Sequence, residues 1–92
     1  MTSWVVAVKY NPQEIFSSSP TIIGVERIKG PYDNGEEAIL ECGRLSANKR
    51  DALKQAELAG DEDAWKQART WSYKVLTQSE LEEFRRHGVN VT

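Results

Sequence analysis

Apolar and β-branched side chains crowd positions 4–10 (Trp-Val-Val-Ala-Val-Lys-Tyr). In an extended chain Trp4, Val6, Val8 and Tyr10 line one face and Val5 and Ala7 the other. Apolar residues on both faces predict a central strand. Asn11-Pro12 interrupts it, and the stretch to Ser17-Ser18-Ser19-Pro20 has loop composition, with Ile15 and Phe16 as its large apolar residues. Residues 21–29 (Thr-Ile-Ile-Gly-Val-Glu-Arg-Ile-Lys) predict a second strand, Ile23 and Val25 sharing one face and Ile22 and Ile28 the other. Gly30-Pro31 is expected to end it, because proline restricts the residue before it and has no N–H for a ladder.

Residues 33–45 admit two readings. Asn34-Gly35 is a hairpin signal, whereas Asn34 followed by Glu37 is an N-cap with a capping-box acid. Helix is preferred, because Glu36, Glu37, Ala38, Leu40 and Glu41 are good helix formers and Ile39, Cys42 and Leu45 recur at helical spacing. From Ala47 to Ala59 helix formers continue, with Ala52, Leu53 and Ala56 as the inward stripe and Asn48, Lys49, Arg50, Lys54 and Gln55 mostly outside. Gly60 offers a C′ stop, and Asp61 caps a further short helix with Trp65 and Ala68 facing inward.

Residues 71–77 (Trp-Ser-Tyr-Lys-Val-Leu-Thr) alternate as a third strand, with Trp71, Tyr73 and Val75 on one face and Ser72, Lys74 and Leu76 on the other. Thr77 and Glu80 form a capping-box pair for a last helix whose buried stripe is Leu81 and Phe84. Gly88 closes that helix with Val89 packing back on Phe84, as a Schellman ending requires. The expected fold over residues 1–92 is a single two-layer α+β domain. Its order is ββααβα, with a three-stranded, antiparallel-rich sheet covered by helices on one face.

Charge narrows the choice of partner. Twelve basic and fourteen acidic residues give a net charge of −2, and neither sign gathers into a tail, which weakens the case for nucleic acid or anionic lipid. The N-terminal residues show neither a positive leader nor a small-residue cleavage site, and their apolar run is too short to span a bilayer. With Cys42 the single cysteine, no internal disulfide forms. A reducing, cytoplasmic setting with no membrane association is therefore the expectation.

The chain offers little to chemistry. His87 is the only histidine and sits between Arg86 and Gly88 at a helix C-terminus, where the dipole alone accounts for it. Cys42 lies on a predicted apolar stripe and reads as a small hydrophobe. The acids Glu36-Glu37 and Asp61-Glu62-Asp63 fall at helix N-termini, where they complement the dipole. The Gly30–Gly35 loop has neither a G-x-G-x-x-G spacing nor a Walker lysine. No catalytic residue, metal site or cofactor is expected.

Gly30-Pro31-Tyr32 running into Glu36-Glu37-Ala38 resembles the strand-to-helix turn of many small α/β modules, among them the peptidoglycan-binding repeats of cell-division proteins. The order of elements differs from those repeats, and the nine-residue match transfers no residue role.

Trp4, Tyr10, Trp71 and Tyr73 share a sheet face if their strands are neighbours in compatible registers. They are then either the core beneath the helices or an exposed aromatic surface. The expected function is a non-enzymatic protein-binding module of the adaptor, inhibitor or regulator kind. It would bind another protein, or itself as a homodimer, through a sheet face or edge, with those four aromatics as anchors. The rival reading is a single-stranded nucleic-acid binder using the same aromatics with a basic flank of Lys49, Arg50 and Lys54; the acids Asp51 and Glu57 dilute that flank.

Overall fold

A computed structural model describes residues 2–92; Met1 lies outside them. Strand β1 (Ser3–Tyr10) leads through a short 3-10 turn at Pro12–Glu14 to β2 (Ile22–Tyr32). Helices α1 (Gly35–Ala59) and α2 (Glu62–Arg69) follow, then β3 (Trp71–Thr77), α3 (Gln78–Arg86) and β4 (Asn90–Val91). The sheet order is β3-β1-β2-β4, antiparallel between β1 and both its neighbours and parallel between β2 and β4.

This corrects the three-stranded expectation: the sheet is mixed and has four strands. The added strand is two residues long, too short for any periodicity to reveal, and pairs Gly24 with Asn90 and Val25 with Val91. Backbone bonds from Arg27 N–H to Thr92 O and from Thr92 N–H to Val25 O extend that pairing.

Helices also cover both faces of the sheet rather than one. Cross-strand partners share a face, so Val5, Ala7 and Lys9 stand beside Val75, Tyr73 and Trp71, while Trp4, Val6 and Val8 stand beside Leu76, Lys74 and Ser72. The second face carries the main core of Val6, Val8, Val25, Leu76 and Leu81, with Trp4, Tyr10, Ile22, Phe84, Val89 and Val91 packed around it. Leu81 and Phe84 belong to α3, so this is the α3 face. On the other face α1 lies over the sheet, tied to β2 by Lys29–Glu41 (2.8 Å) and to β3 by Lys49. The physical reason stands in β1: Val5, Val6 and Val8 are all fully buried, and each face of that strand needs its own cover. Burying each valine is worth about 1.5–3 kcal/mol, and one helix reaches one face only.

Three register shifts rephase β2, the middle one leaving Ile28 as an extra residue between the pairs Val6–Arg27 and Val5–Lys29. Tyr10 pairs with Ile22 but Lys9 with Gly24, so Ile23 is an extra residue without a partner. Ile22 and Val25 therefore both join the core and Ile23 is exposed, against the expected grouping of Ile23 with Val25. The third shift sets Gly30-Pro31 opposite Trp4, between the pairs Val5–Lys29 and Ser3–Tyr32. Proline is tolerated at a bulge because no ladder bond is required there, so the strand continues to Tyr32 instead of ending at Gly30. Gly30 has φ +136°, and a Cβ there would lie 2.7 Å from Trp4 Cε3; only glycine lets the indole sit against the backbone.

Helix ends follow the local signals. Asn34 accepts from Glu36 N–H at 2.9 Å, and Asp61 accepts from Ala64 N–H at 3.1 Å. Thr77 and Glu80 bond reciprocally as a capping box. At Gly88, Val89 N–H reaches Phe84 O and Gly88 N–H reaches Arg85 O, the Schellman pair of bonds. Helix α1 is continuous over 25 residues, about 38 Å at 1.5 Å per residue, and accounts for the 42 Å long dimension of the molecule. Its inward stripe runs through Ala38, Cys42, Leu45, Lys49, Leu53 and Ala56, leaving Ile39 and Ala52 outside. No helix among the described residues is long and apolar enough to cross a membrane.

Candidate protein-binding edge

Strand β3 pairs with β1 on one side, and among the described residues no strand lies on its other side. Its register with β1 pairs Ser3 with Thr77 and continues without a shift to Lys9 and Trp71. The ladder is extended at both ends by Tyr10 N–H to Thr70 O (2.7 Å) and Gln78 N–H to Thr2 O (3.0 Å). Antiparallel pairs alternate between hydrogen-bonded and non-hydrogen-bonded, so the even-numbered residues Ser72, Lys74 and Leu76 spend their backbone groups on β1. The N–H and C=O groups of Trp71, Tyr73 and Val75 point away from the sheet. Lys49 Nζ donates to the Trp71 carbonyl, which is the position of an outward-facing acceptor.

Side chains flank this row of backbone groups on both sides. On the α1 face, Trp71 and Tyr73 meet edge to face with ring centroids 4.9 Å apart, and both are half-buried. The Lys49 ammonium stands 4.5 Å from the Trp71 ring centroid. Burial holds the Lys49 amine below the usual lysine range, and the charge of Arg69 pushes it the same way. On the α3 face, Ser72 Oγ and Tyr10 Oη share a hydrogen bond of 2.8 Å, Lys74 is exposed and Leu76 is buried. The edge thus offers unpaired backbone groups between a half-buried aromatic pair and an exposed cation.

The four aromatics singled out in the sequence do not share a face. Trp71 and Tyr73 lie on the α1 face. Trp4 and Tyr10 lie on the α3 face, where the Trp4 indole N–H donates to Gln78 Oε1 at 3.0 Å and the Arg27 guanidinium stands 5.0 Å from the Trp4 ring centroid. The three basic residues also separate. Lys49 turns inward over Trp71, whereas Arg50 and Lys54, at 100° and 140° around the helix by its 3.6-residue turn, are exposed elsewhere.

Sequence reasoning missed an aromatic corner built from distant segments. Phe16 of the β1–β2 connection is exposed, its ring centroid 6.1 Å from that of Trp65 in α2, and Arg69 stands 4.8 Å from the Trp65 ring centroid. No spacing signal joins positions 16 and 65. Cys42 is half-buried, and His87 meets Glu83 at 3.1 Å on the surface. Among the described residues no three His, Cys, Asp or Glu side chains are placed to hold a metal ion.

Against models of known protein families, curated proteins and solved structures, the chain finds no match.

Proposed function

We propose that this chain is a non-enzymatic protein-binding module of the adaptor, inhibitor or regulator kind, and that it works by adding a strand of its partner to β3. The observation that carries the reading is the outward-facing backbone of Tyr73 and Val75 on an edge strand of seven residues. Main-chain bonds supply affinity in such strand addition, and side chains on the two faces supply selectivity. Trp71 and Tyr73 flank the added strand, and a half-buried aromatic gains contact area there without first losing much freedom. Trp4 and Tyr10 serve the arrangement from the other face. Tyr10 bonds Ser72, and Trp4 ties β1 to the start of α3, so both fix the strand that the partner joins.

Replacement of Val75 by proline tests this. The Val75 N–H points outward, so the substitution removes a group needed for strand addition and none needed for the β1–β3 ladder. In affinity capture from a lysate of the host, the parent chain is expected to retain a stoichiometric protein partner. Val75→Pro is expected to lose it while keeping the parent's circular dichroism spectrum. Undiminished capture by Val75→Pro, or retention of nucleic acid alone, contradicts the proposal.

A further inference from the structure

We infer that the strand accepted by β3 alternates apolar with acidic residues, an acidic one standing opposite Lys74. The inference rests on strand addition at β3 and identifies what is added.

An incoming strand places every second side chain on the α1 face, beside Trp71, Tyr73 and Val75, and the others on the α3 face, beside Ser72, Lys74 and Leu76. On the α1 face it meets two half-buried rings and a valine, surfaces that favour apolar and β-branched side chains. On the α3 face the exposed group at the middle of the strand is the Lys74 ammonium. Lys74 directs its backbone toward β1, so across the outer edge it forms a non-hydrogen-bonded pair, the kind in which opposed side chains come closest. An opposite charge there stabilises the pairing and a like charge weakens it.

The other charges along the edge agree. Lys49 lies over Trp71 at one end, with Arg69 close enough to influence it. At the far end the Glu80 carboxylate is taken by the Thr77 N–H at 3.0 Å. The edge is therefore cationic where it is open.

A second copy of this chain fits less well. Two β3 strands related by a two-fold axis centred on Tyr73, Lys74 or Val75 meet with Lys74 opposite Ser72, Lys74 or Leu76 respectively. None of these registers sets an acid against the lysine, and the one centred on Lys74 opposes like charges at the closest pair. Lys74 guards the edge against its own kind, as charged side chains on exposed edges do.

The test uses the full chain, isotopically labelled, and two seven-residue peptides, one alternating valine with glutamate and one alternating valine with lysine. Titrations follow the Tyr73 and Val75 amide resonances at low and high salt. The acidic peptide is expected to shift both resonances and to bind about 2- to 30-fold more tightly than the basic one, from the spread of opposite- and like-charge pair energies. The preference should narrow as salt rises. Lys74→Glu, a change at an exposed side chain, should reverse it. Equal binding of the two peptides, with both amides shifted, overturns the acidic partner and leaves strand addition standing. If neither peptide moves these amides, or a thymidine oligonucleotide moves them instead, both readings fall.

Discussion

The two edges of this sheet are built in opposite ways. Beyond β2, β4 pairs with Gly24 and Val25, Thr92 takes up the Val25 carbonyl and the Arg27 N–H, and further along a bulge brings in Gly30-Pro31. That edge is partly paired and then made unsuitable for pairing, the two usual ways of disarming a strand. The β3 edge has neither. It runs straight through seven residues without a bulge, and Lys74 is the one charged residue within it. One edge is closed with a dedicated strand, a bulge and a proline and the other is left regular, which is what the proposed strand addition requires.

Dismantling the closed edge gives the largest expected effect. Leu81 is buried at the centre of the α3 face and holds the helix that carries the chain from β3 across to β4. Leu81→Ala should lower unfolding stability by about 2–5 kcal/mol in a denaturant titration. Below the midpoint it should also speed exchange of the Arg27 amide, which bonds Thr92. Stability within about 0.5 kcal/mol of the parent would show that α3 does not anchor this face.

A smaller effect is expected at the bulge. Gly30→Ala forces a Cβ to within 2.7 Å of the Trp4 ring at a positive φ. It should destabilise by about 1–3 kcal/mol and quench or shift indole fluorescence as Trp4 moves off the backbone. A neutral substitution would mean that the close packing of Trp4 on Gly30 is dispensable.

These two sites also show what was legible from sequence. The capping box at Thr77, the caps at Asn34 and Asp61, and the ending at Gly88 could all be read because the partners lie within a few residues. The bulges could not. Ile23 leaves the core, and Pro31 stays within a strand, because of what β1 places opposite them. The inward stripe of α1 passes through Ala38 and Lys49 rather than Ile39 and Ala52, since its phase is set by the sheet beneath and not by residue size alone. Of the candidate site, Trp71 and Tyr73 were found from their alternation in one strand. That β3 is an edge is a property of sheet order, and no local pattern encodes it. The Phe16–Trp65 corner was hidden for the same reason.

The smallest expected effect concerns the tie between α1 and β2. Hydrogen bonds from Arg44 and Lys29 hold the Glu41 carboxyl at a pKa of about 2, below its ordinary 4.5. A depressed folded-state value means the contribution to stability is present above pH 4.5 and is lost as pH falls toward 2. Lys29 and Arg44 are exposed, so water screens the pairs and the effect is modest. Glu41→Gln should be slightly less stable than the parent at pH 7, and the two should converge near pH 2. A difference that grows on acidification would reverse the assignment.

The most direct test of the central claim is amide exchange along β3 in the isolated domain and with its partner. The account predicts an alternating pattern in the free protein, with Tyr73 and Val75 fast and Ser72, Lys74 and Leu76 slow. Only the fast pair should become protected when a strand is added. Uniform protection along β3 in the free domain, or partner binding that leaves Tyr73 and Val75 fast, would contradict it.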